Sequence, residues 1–430
     1  MEEFVEESVK ERPFQNFDSC STPIIESLLD TDFYKFTMGQ LIFHRYPDVP
    51  VKFAFKNRTK NVRLGDSIDE KNLQRELDYV RSLRFNKTEL HYLRGTNEYS
   101  ERMFKEDYLE FLEDLKLPPY ELEIVDGDIR LEFSGKWSEV TYWEIPALSI
   151  VNELYYRSLM KPMGKLKRDA IYATGIQRLA EKVKILKGRP DITLCDFGTR
   201  RRHGREWQDY TVKNMAHELP AQFLGTSNTY LAMKHGLLPM GTNAHELDMA
   251  LSGVMHSSDE EIRTSHNKVL QDWWDEYGWG LSIALTDTYG TDFFFQNMTP
   301  QQARDWKGLR QDSGNPFKFV DKALAFYERR GVDPRGKLIV FSDGLDIDTI
   351  IKLADYKRGS IKKTYGWGTN LTNDLGLPTL SIVIKLMESN GYGTVKLSDN
   401  LAKALGTPED IEHFKRIVGY TGTTYEECRY

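Results

Sequence analysis

The chain has 430 residues and a formal net charge of −7, with 40% hydrophobic and 29% charged residues. That is an ordinary globular balance, longer than one average domain and too acidic for general nucleic-acid binding. No apolar run approaches the roughly 20 residues of a membrane helix, and three scattered cysteines (Cys20, Cys195, Cys428) make neither a disulfide framework nor a metal motif, which fits a reducing cytoplasm.

The opening stretch, MEEFVEESVKERPF, is acidic and has no apolar core, which argues against a secretory signal. LLDTDFYKFTMGQLIFHRY (28–46) predicts a helix entered through Asp30, Thr31 or Asp32. Its aromatics Phe33, Tyr34 and Phe36 read first as core; Tyr34 becomes functional if the helix reaches a ligand rim, its own or a partner's. Residues 49–59 predict a strand, and 121–135 a hairpin around Asp-Gly. Residues 138–160 turn helical, and 165–187 continue as a long charged helix.

From about residue 190 the pattern becomes serial. Seven short apolar runs end in small or polar residues: 191–204, 221–228, 237–246, 281–291, 308–316, 337–346 and 361–370. Helix-like segments (205–218, 259–277, 316–330, 346–356) lie between them. A repeat of roughly 30 residues suits strand-plus-crossover units, hence a parallel α/β sheet with barrel-like closure. The divisions that follow are a mixed α+β domain over 1–150, the barrel-like domain over 151–390, and a segment 391–430 packing back on the N-terminal domain. Parallel strands put all their C-terminal ends on one face, where such folds hold ligands.

The candidate residues sit at those strand ends. FGTRRRHGRE places Arg200, Arg201 and Arg202 in a run, readable as a solvated loop or as a grip on phosphate or carboxylate near a helix start. SDG (342–344) and GWGTN (366–370) read as ordinary glycine turns or as a phosphate cradle built on Ser342, Gly344, Gly368 and Thr369. TDTYGTD and RQDSGNP offer Asp287 and Asp312, as helix caps or as groups that hold Mg2+ and balance charge. In PMGTNAHE, His245 is a structural loop histidine or a nucleophile and acid–base group, with Glu246 a candidate to orient its ring. No second histidine or Cys-x-x-Cys accompanies it, so no zinc site, and no side-chain metal ligand set, is assigned.

Taken together and in order, LLDTDFYKFTM, FGTRRRHG, GTSN, GTNAHE, LTDTYGTDFF, RQDSG, FSDGLD and GWGTN resemble the nicotinate phosphoribosyltransferase family over nearly the whole chain. The resemblance implies a type II phosphoribosyltransferase-like fold, an irregular α/β barrel with an N-terminal α+β domain, in a homodimer. It implies that nicotinate and phosphoribosyl pyrophosphate give nicotinate mononucleotide and pyrophosphate, with Mg2+, in NAD biosynthesis. ATP is a co-substrate and His245 is phosphorylated. It implies further that Tyr34, Thr242 and Arg310 line the nicotinate pocket, and that Thr369, Gly368 and Ser342–Gly344 hold the ribose phosphate. Arg200 and its neighbours face substrate, and Asp287 and Asp312 contact ribose or magnesium pyrophosphate. Rival readings are a nicotinamide phosphoribosyltransferase, a quinolinate phosphoribosyltransferase and a non-catalytic barrel that senses phosphosugars. Neither nucleic acid nor membrane is an expected partner.

Overall fold

The computed structural model describes residues 22–426, so Cys20, Cys428 and the acidic opening lie outside the described residues. Helix α1 (Tyr34–Arg45) enters the N-terminal domain without a side-chain cap. The three predicted cap residues are used elsewhere: Asp32 accepts from Ser227 Oγ (2.7 Å), the Thr31 carbonyl accepts from Thr229 N (2.9 Å), and Asp30 meets Arg202. Residues 30–32 are thus tied to loops that follow barrel strands instead of to their own helix.

Strand β1 (Pro50–Asn57) is the centre of an antiparallel five-stranded sheet. The predicted hairpin is β2 (Tyr120–Val125) and β3 (Asp128–Lys136). Asp126 and Gly127 between them have φ of 52° and 79°, the left-handed pair that a tight two-residue hairpin turn needs. Helix α2 (Glu144–Met160) and the long α3 (Lys165–Lys187) then lead to the second sheet.

That sheet is parallel throughout. Its strands are β4 (Leu194–Asp196), β5 (Phe223–Thr226), β6 (Leu238–Pro239), β7 (Ile283–Leu285), β8 (Gly308–Gln311), β9 (Leu338–Phe341) and β10 (Lys362–Trp367). The spatial order is β6-β5-β4-β10-β9-β8-β7, so it is an open, curled half-barrel with β6 and β7 at its edges. The chain winds outward from β4 to one edge and returns from the other edge to β10, which pairs with β4. That pair is the switch point where open α/β sheets form a crevice.

The last two strands correct the expected division. Strand β11 (Ile382–Ser389) leaves the barrel and pairs antiparallel with β1, and β12 (Tyr392–Gly393) extends the same N-terminal sheet. Beyond them the chain packs on the barrel side. Val395, Leu397, Phe414, Ile417 and Val418 form a small core with Ile262, Tyr289 and Phe293.

A buried ion pair ties the two domains together. Arg202, fully buried, donates two-pronged hydrogen bonds to Asp30 (2.7 and 2.8 Å). Removing one partner strands the other charge in a dry site, at a cost of about 3–5 kcal/mol. Asp30→Ala should therefore lower the unfolding free energy by about that amount in denaturant titration. Adding Arg202→Met should recover part of the loss, whereas strictly additive losses would show that the pair is not a coupled unit.

Candidate active site

The strand ends build two connected cavities. The larger, about 240 Å3, is lined by Phe197, Gly198, Ser342, Gly344, Gly368 and Thr369 together with a dense set of charges. Four arginines (Arg58, Arg200, Arg201, Arg310) and three lysines (Lys385, Lys396, Lys403) face three aspartates (Asp312, Asp343, Asp346). This excess of cations over acids, in a site walled by protein, suits a polyanion. The smaller cavity, about 70 Å3, adds apolar and aromatic walls from Tyr34, Phe53, Leu285, Ile384 and Leu386. Arg200, Arg310, Asp312 and Lys385 line both.

Arg310 stands at the end of β8, in register with Val340 of β9, whose own neighbour is Thr364 of β10. Its Nε donates to Ser342 Oγ (2.8 Å), its Nη1 to the Asn243 carbonyl (3.1 Å), and its Nη2 approaches Asp312 Oδ1 at 3.5 Å. Its guanidinium lies 5.7 Å from the Phe197 ring centre. Phe197 in turn lies against β10 because residue 366 is glycine; a Cβ there would fall 2.3 Å from the ring.

His245 precedes helix α4 (Glu246–Val254) and is only 8% exposed. Its Nε2 is 3.0 Å from Asp312 Oδ2 and 3.6 Å from Asp287 Oδ1, and its Nδ1 is 2.9 Å from Thr288 Oγ1. Burial and then the Lys396 charge depress the imidazole pKa below its usual value, against the pull of both aspartates. Burial works against ionisation of Asp312, yet Arg310 and the His245 hydrogen bond hold its carboxyl well below the usual range. A carboxylate can only accept, so it assigns the proton of neutral His245 to Nε2. Nδ1 faces the Thr288 hydroxyl, which donates to Asp248 Oδ2 (3.1 Å).

Glu246 does not orient that ring. Its two oxygens accept from Lys35 Nζ (2.5 Å) and Trp137 Nε1 (2.7 Å), on the opposite side of the helix start. Lys35 also pairs with Glu144 (2.7 Å), which accepts from Tyr34 OH (3.1 Å) and lies 3.8 Å from Arg200. Helix α1 thus does reach a rim, within its own chain. Gly241 allows the approach, since a Cβ there would fall 2.9 Å from Tyr34 N.

Of the residues singled out in the sequence, Arg200, Arg310, Asp312, Ser342, Gly344, Gly368 and Thr369 line the larger cavity. Tyr34 and His245 line the smaller. Thr242 lines neither; its carbonyl accepts from Thr37 Oγ1 (2.6 Å). Asp287 is 1% exposed and sits behind the wall, accepting from Ser313 Oγ (2.5 Å). The arginine run divides. Arg200 and Arg201 face the cavity, while Arg202 is the clamp to Asp30, and the Arg205 amide donates to Glu153 Oε2 (2.9 Å). The helix start after the run is therefore already capped. Asp312–Ser313 is not a helix cap either: Asn315 caps α5 (Pro316–Arg329).

Sequence reasoning missed Arg58, Phe197, Lys385, Lys396, Lys403 and Glu144. Lys385 carries a legible signal: it is the one charge inside the apolar run IVIKLM. Among the described residues it has no ion pair, and burial together with Lys396 and Arg58 pushes its pKa well below the usual lysine value. An arriving anion would relieve that repulsion.

A cation-rich cavity at the switch point of a half-barrel, joined to an aromatic pocket and a buried histidine, defines an α/β protein with its crevice where such folds place ligands. Family models match residues 192–421 (nicotinate phosphoribosyltransferase family) and 29–152 (its N-terminal domain), and the chain belongs to the nicotinate phosphoribosyltransferase family. It is 31% identical to the nicotinate phosphoribosyltransferase of Porphyromonas gingivalis, over 92% of this chain and 100% of that one, with a TM-score of 0.82. It is 32% identical to that of Vibrio cholerae, over 93% and 95%, with a TM-score of 0.83. A Saccharomyces cerevisiae structure is 29% identical over 94% and 100%, with a TM-score of 0.79. Among the described residues no helix is long and apolar enough to cross a membrane.

The acid pair beside Tyr34 gives a pH prediction. Burial opposes the charge on Glu144, but Lys35 and Arg200 hold its carboxyl at about 2, against an ordinary 4.5. The unfolded chain therefore takes up a proton where the folded one does not, so the stabilisation is complete above pH 4.5 and is lost as pH falls through about 2. Thermal unfolding of the wild type and Glu144→Gln should differ most above pH 4.5 and converge towards pH 2. A gap that stays constant across that window would contradict the pairing.

Proposed function

We propose that the chain joins nicotinate to phosphoribosyl pyrophosphate, giving nicotinate mononucleotide and pyrophosphate, and couples this to ATP through phosphorylation of His245. The observation that carries the reading is that His245 and Arg310 meet the same carboxylate, Asp312, at one mouth. Family membership and relatives that bear the name of this activity support the substrates. The reading includes a cytoplasmic homodimer, as the family resemblance implies.

The nicotinate ring lies at the junction of the cavities, against Tyr34 and Phe197, with Arg310 paired to its carboxylate. A guanidinium matches a planar acid in two-pronged fashion and gives a neutral amide no charge to meet. That is the argument for nicotinate over nicotinamide. The ring nitrogen attacks C1 of the ribose; the C1–N bond forms, and the C1–O bond breaks with its electron pair leaving on pyrophosphate. No protein nucleophile is needed at the sugar, since the surrounding cations stabilise the leaving charge as the oxocarbenium-like centre develops. Ser342, Gly344, Gly368 and Thr369 hold the ribose phosphate through hydroxyls and backbone amides.

In the coupled half-reaction His245 Nδ1 attacks the terminal phosphorus of ATP. The N–P bond forms, the bridging P–O bond breaks, and ADP leaves. Water later takes the phosphoryl group, so the protein emerges unchanged. Asp312 keeps the proton on Nε2 and stabilises the positive ring of the phosphorylated imidazole. The residues fit Mg2+: among the described residues Asp287 Oδ1 is buried without a hydrogen-bond partner, and ligand atoms of His245, Asp287 and Asp312 lie within 4.8 Å of one another. Asp287 and Asp312 would hold the ion, which when bound neutralises charge on the pyrophosphate.

Incubation with ATP labelled in the terminal phosphate tests the coupling. Acid-labile label is expected on the wild type and none on His245→Ala, which should keep weak transferase activity without ATP stimulation. Label of equal intensity on both proteins would remove His245 from the mechanism, and no label on either would favour a phosphosugar sensor. Arg310→Lys should raise the KM for nicotinate by about tenfold or more, as loss of a two-pronged charged contact of about 1.5–3 kcal/mol requires. Turnover of nicotinamide equal to that of nicotinate by the wild type would assign the amide as substrate.

A further inference from the structure

The segment 394–403 reaches three aspartates of this site, Asp287, Asp312 and Asp343. Lys396 Nζ lies 3.6 Å from Asp287 Oδ2, and Ser398 Oγ donates to the same oxygen (3.2 Å). Lys403 Nζ donates to the Asp312 carbonyl (2.8 Å) and pairs with Asp343. The amides of Leu397 and Ser398 donate to the carbonyl of Thr288 (2.8 and 3.3 Å), whose hydroxyl faces His245. One loop therefore delivers two lysines to the polyanion cavity and backs the imidazole's neighbour. It does so in an unfavourable conformation: Ser398, fully buried, has φ of 66°, where a residue with a side chain is uncommon and must be held.

Residues 420–426 supply the hold from outside. Tyr420 OH donates to the Ser398 carbonyl (2.6 Å), and its ring covers Gly290, where a Cβ would fall 3.0 Å from it. Asn400 Nδ2 donates to the Glu426 carbonyl (2.8 Å), and Asn400 Oδ1 accepts from Glu426 N (3.0 Å). Leu401 N donates to the Thr424 carbonyl (2.9 Å). Residues 421–426 are all exposed and add nothing to the hydrophobic core, so these polar contacts with the loop are what the segment contributes.

We propose that residues 420–426 form a strap that fixes the 394–403 loop so that Lys396 and Lys403 meet pyrophosphate, with Tyr420 and Asn400 as positioning residues. The proposal rests on the polyanion reading of the cavity given above. Neither residue touches substrate; each acts through the loop.

Calorimetric titration of inorganic pyrophosphate into the full-length wild type, Asn400→Ala, Asn400→Asp and Tyr420→Phe tests it, with Tm recorded for each. Supporting groups behind a ligand-binding shell typically change affinity by 10–100-fold. Asn400→Ala and Tyr420→Phe should each weaken pyrophosphate about tenfold at a Tm close to wild type. Asn400→Asp, which keeps the acceptor for Glu426 N, should recover part of the affinity. Wild-type affinity in both Asn400→Ala and Tyr420→Phe overturns the strap and leaves the anion site standing. A loss that tracks a falling Tm and is not relieved by Asn400→Asp overturns it as general damage. A wild type that binds no pyrophosphate overturns the anion-site reading, and the strap with it.

Discussion

Asp312 is the residue on which the site depends. Its carboxylate is 3.0 Å from His245 Nε2, 2.9 Å from Ser342 Oγ and 3.5 Å from Arg310 Nη2, and its carbonyl takes Lys403. A buried carboxylate with such neighbours stays charged despite desolvation. Being charged, it settles the imidazole's tautomer and holds the guanidinium in place with one side chain. His245 and Arg310 are thereby one residue apart in space, though 65 apart in sequence.

The topology makes this meeting possible. Strands β4 and β10 are neighbours although most of the catalytic domain lies between them in the chain, so turns from its beginning and end open onto one crevice. The N-terminal sheet closes that crevice from outside, through Arg58 at the end of β1 and Lys385 in β11. Positive charge is concentrated there well beyond what the local acids balance. Repulsion among cations destabilises such a cavity until an anion enters, and that stored repulsion is a source of affinity.

Much of this was legible in the sequence because a parallel strand announces its end. A short apolar run followed by Gly, Ser, Asp or Arg marks both the strand and the rim, and Arg200, Arg310, Asp312, Ser342 and Gly368 all lie where such runs stop. Other residues were misread because adjacency in sequence says little about direction. Glu246 follows His245 but turns to Lys35 and Trp137, and the third arginine of a run of three is buried while the first two face the cavity. Arg58, Lys396 and Lys403 carry no motif; their role comes from how distant segments pack across the mouth of the parallel sheet, which no local pattern encodes. The same holds for β11, which the expected division placed within the barrel-like domain and which pairs with β1 of the N-terminal sheet.

The central claim is that one mouth couples phosphoryl chemistry to glycosidic chemistry. The direct test is to supply the purified chain with carboxyl-labelled nicotinate, phosphoribosyl pyrophosphate and ATP, and to follow labelled mononucleotide, pyrophosphate and ADP in the same reaction. The account predicts that mononucleotide and pyrophosphate appear in equal amounts and that ADP release rises in step with them. No labelled mononucleotide, or ADP release indifferent to the other two substrates, would contradict it.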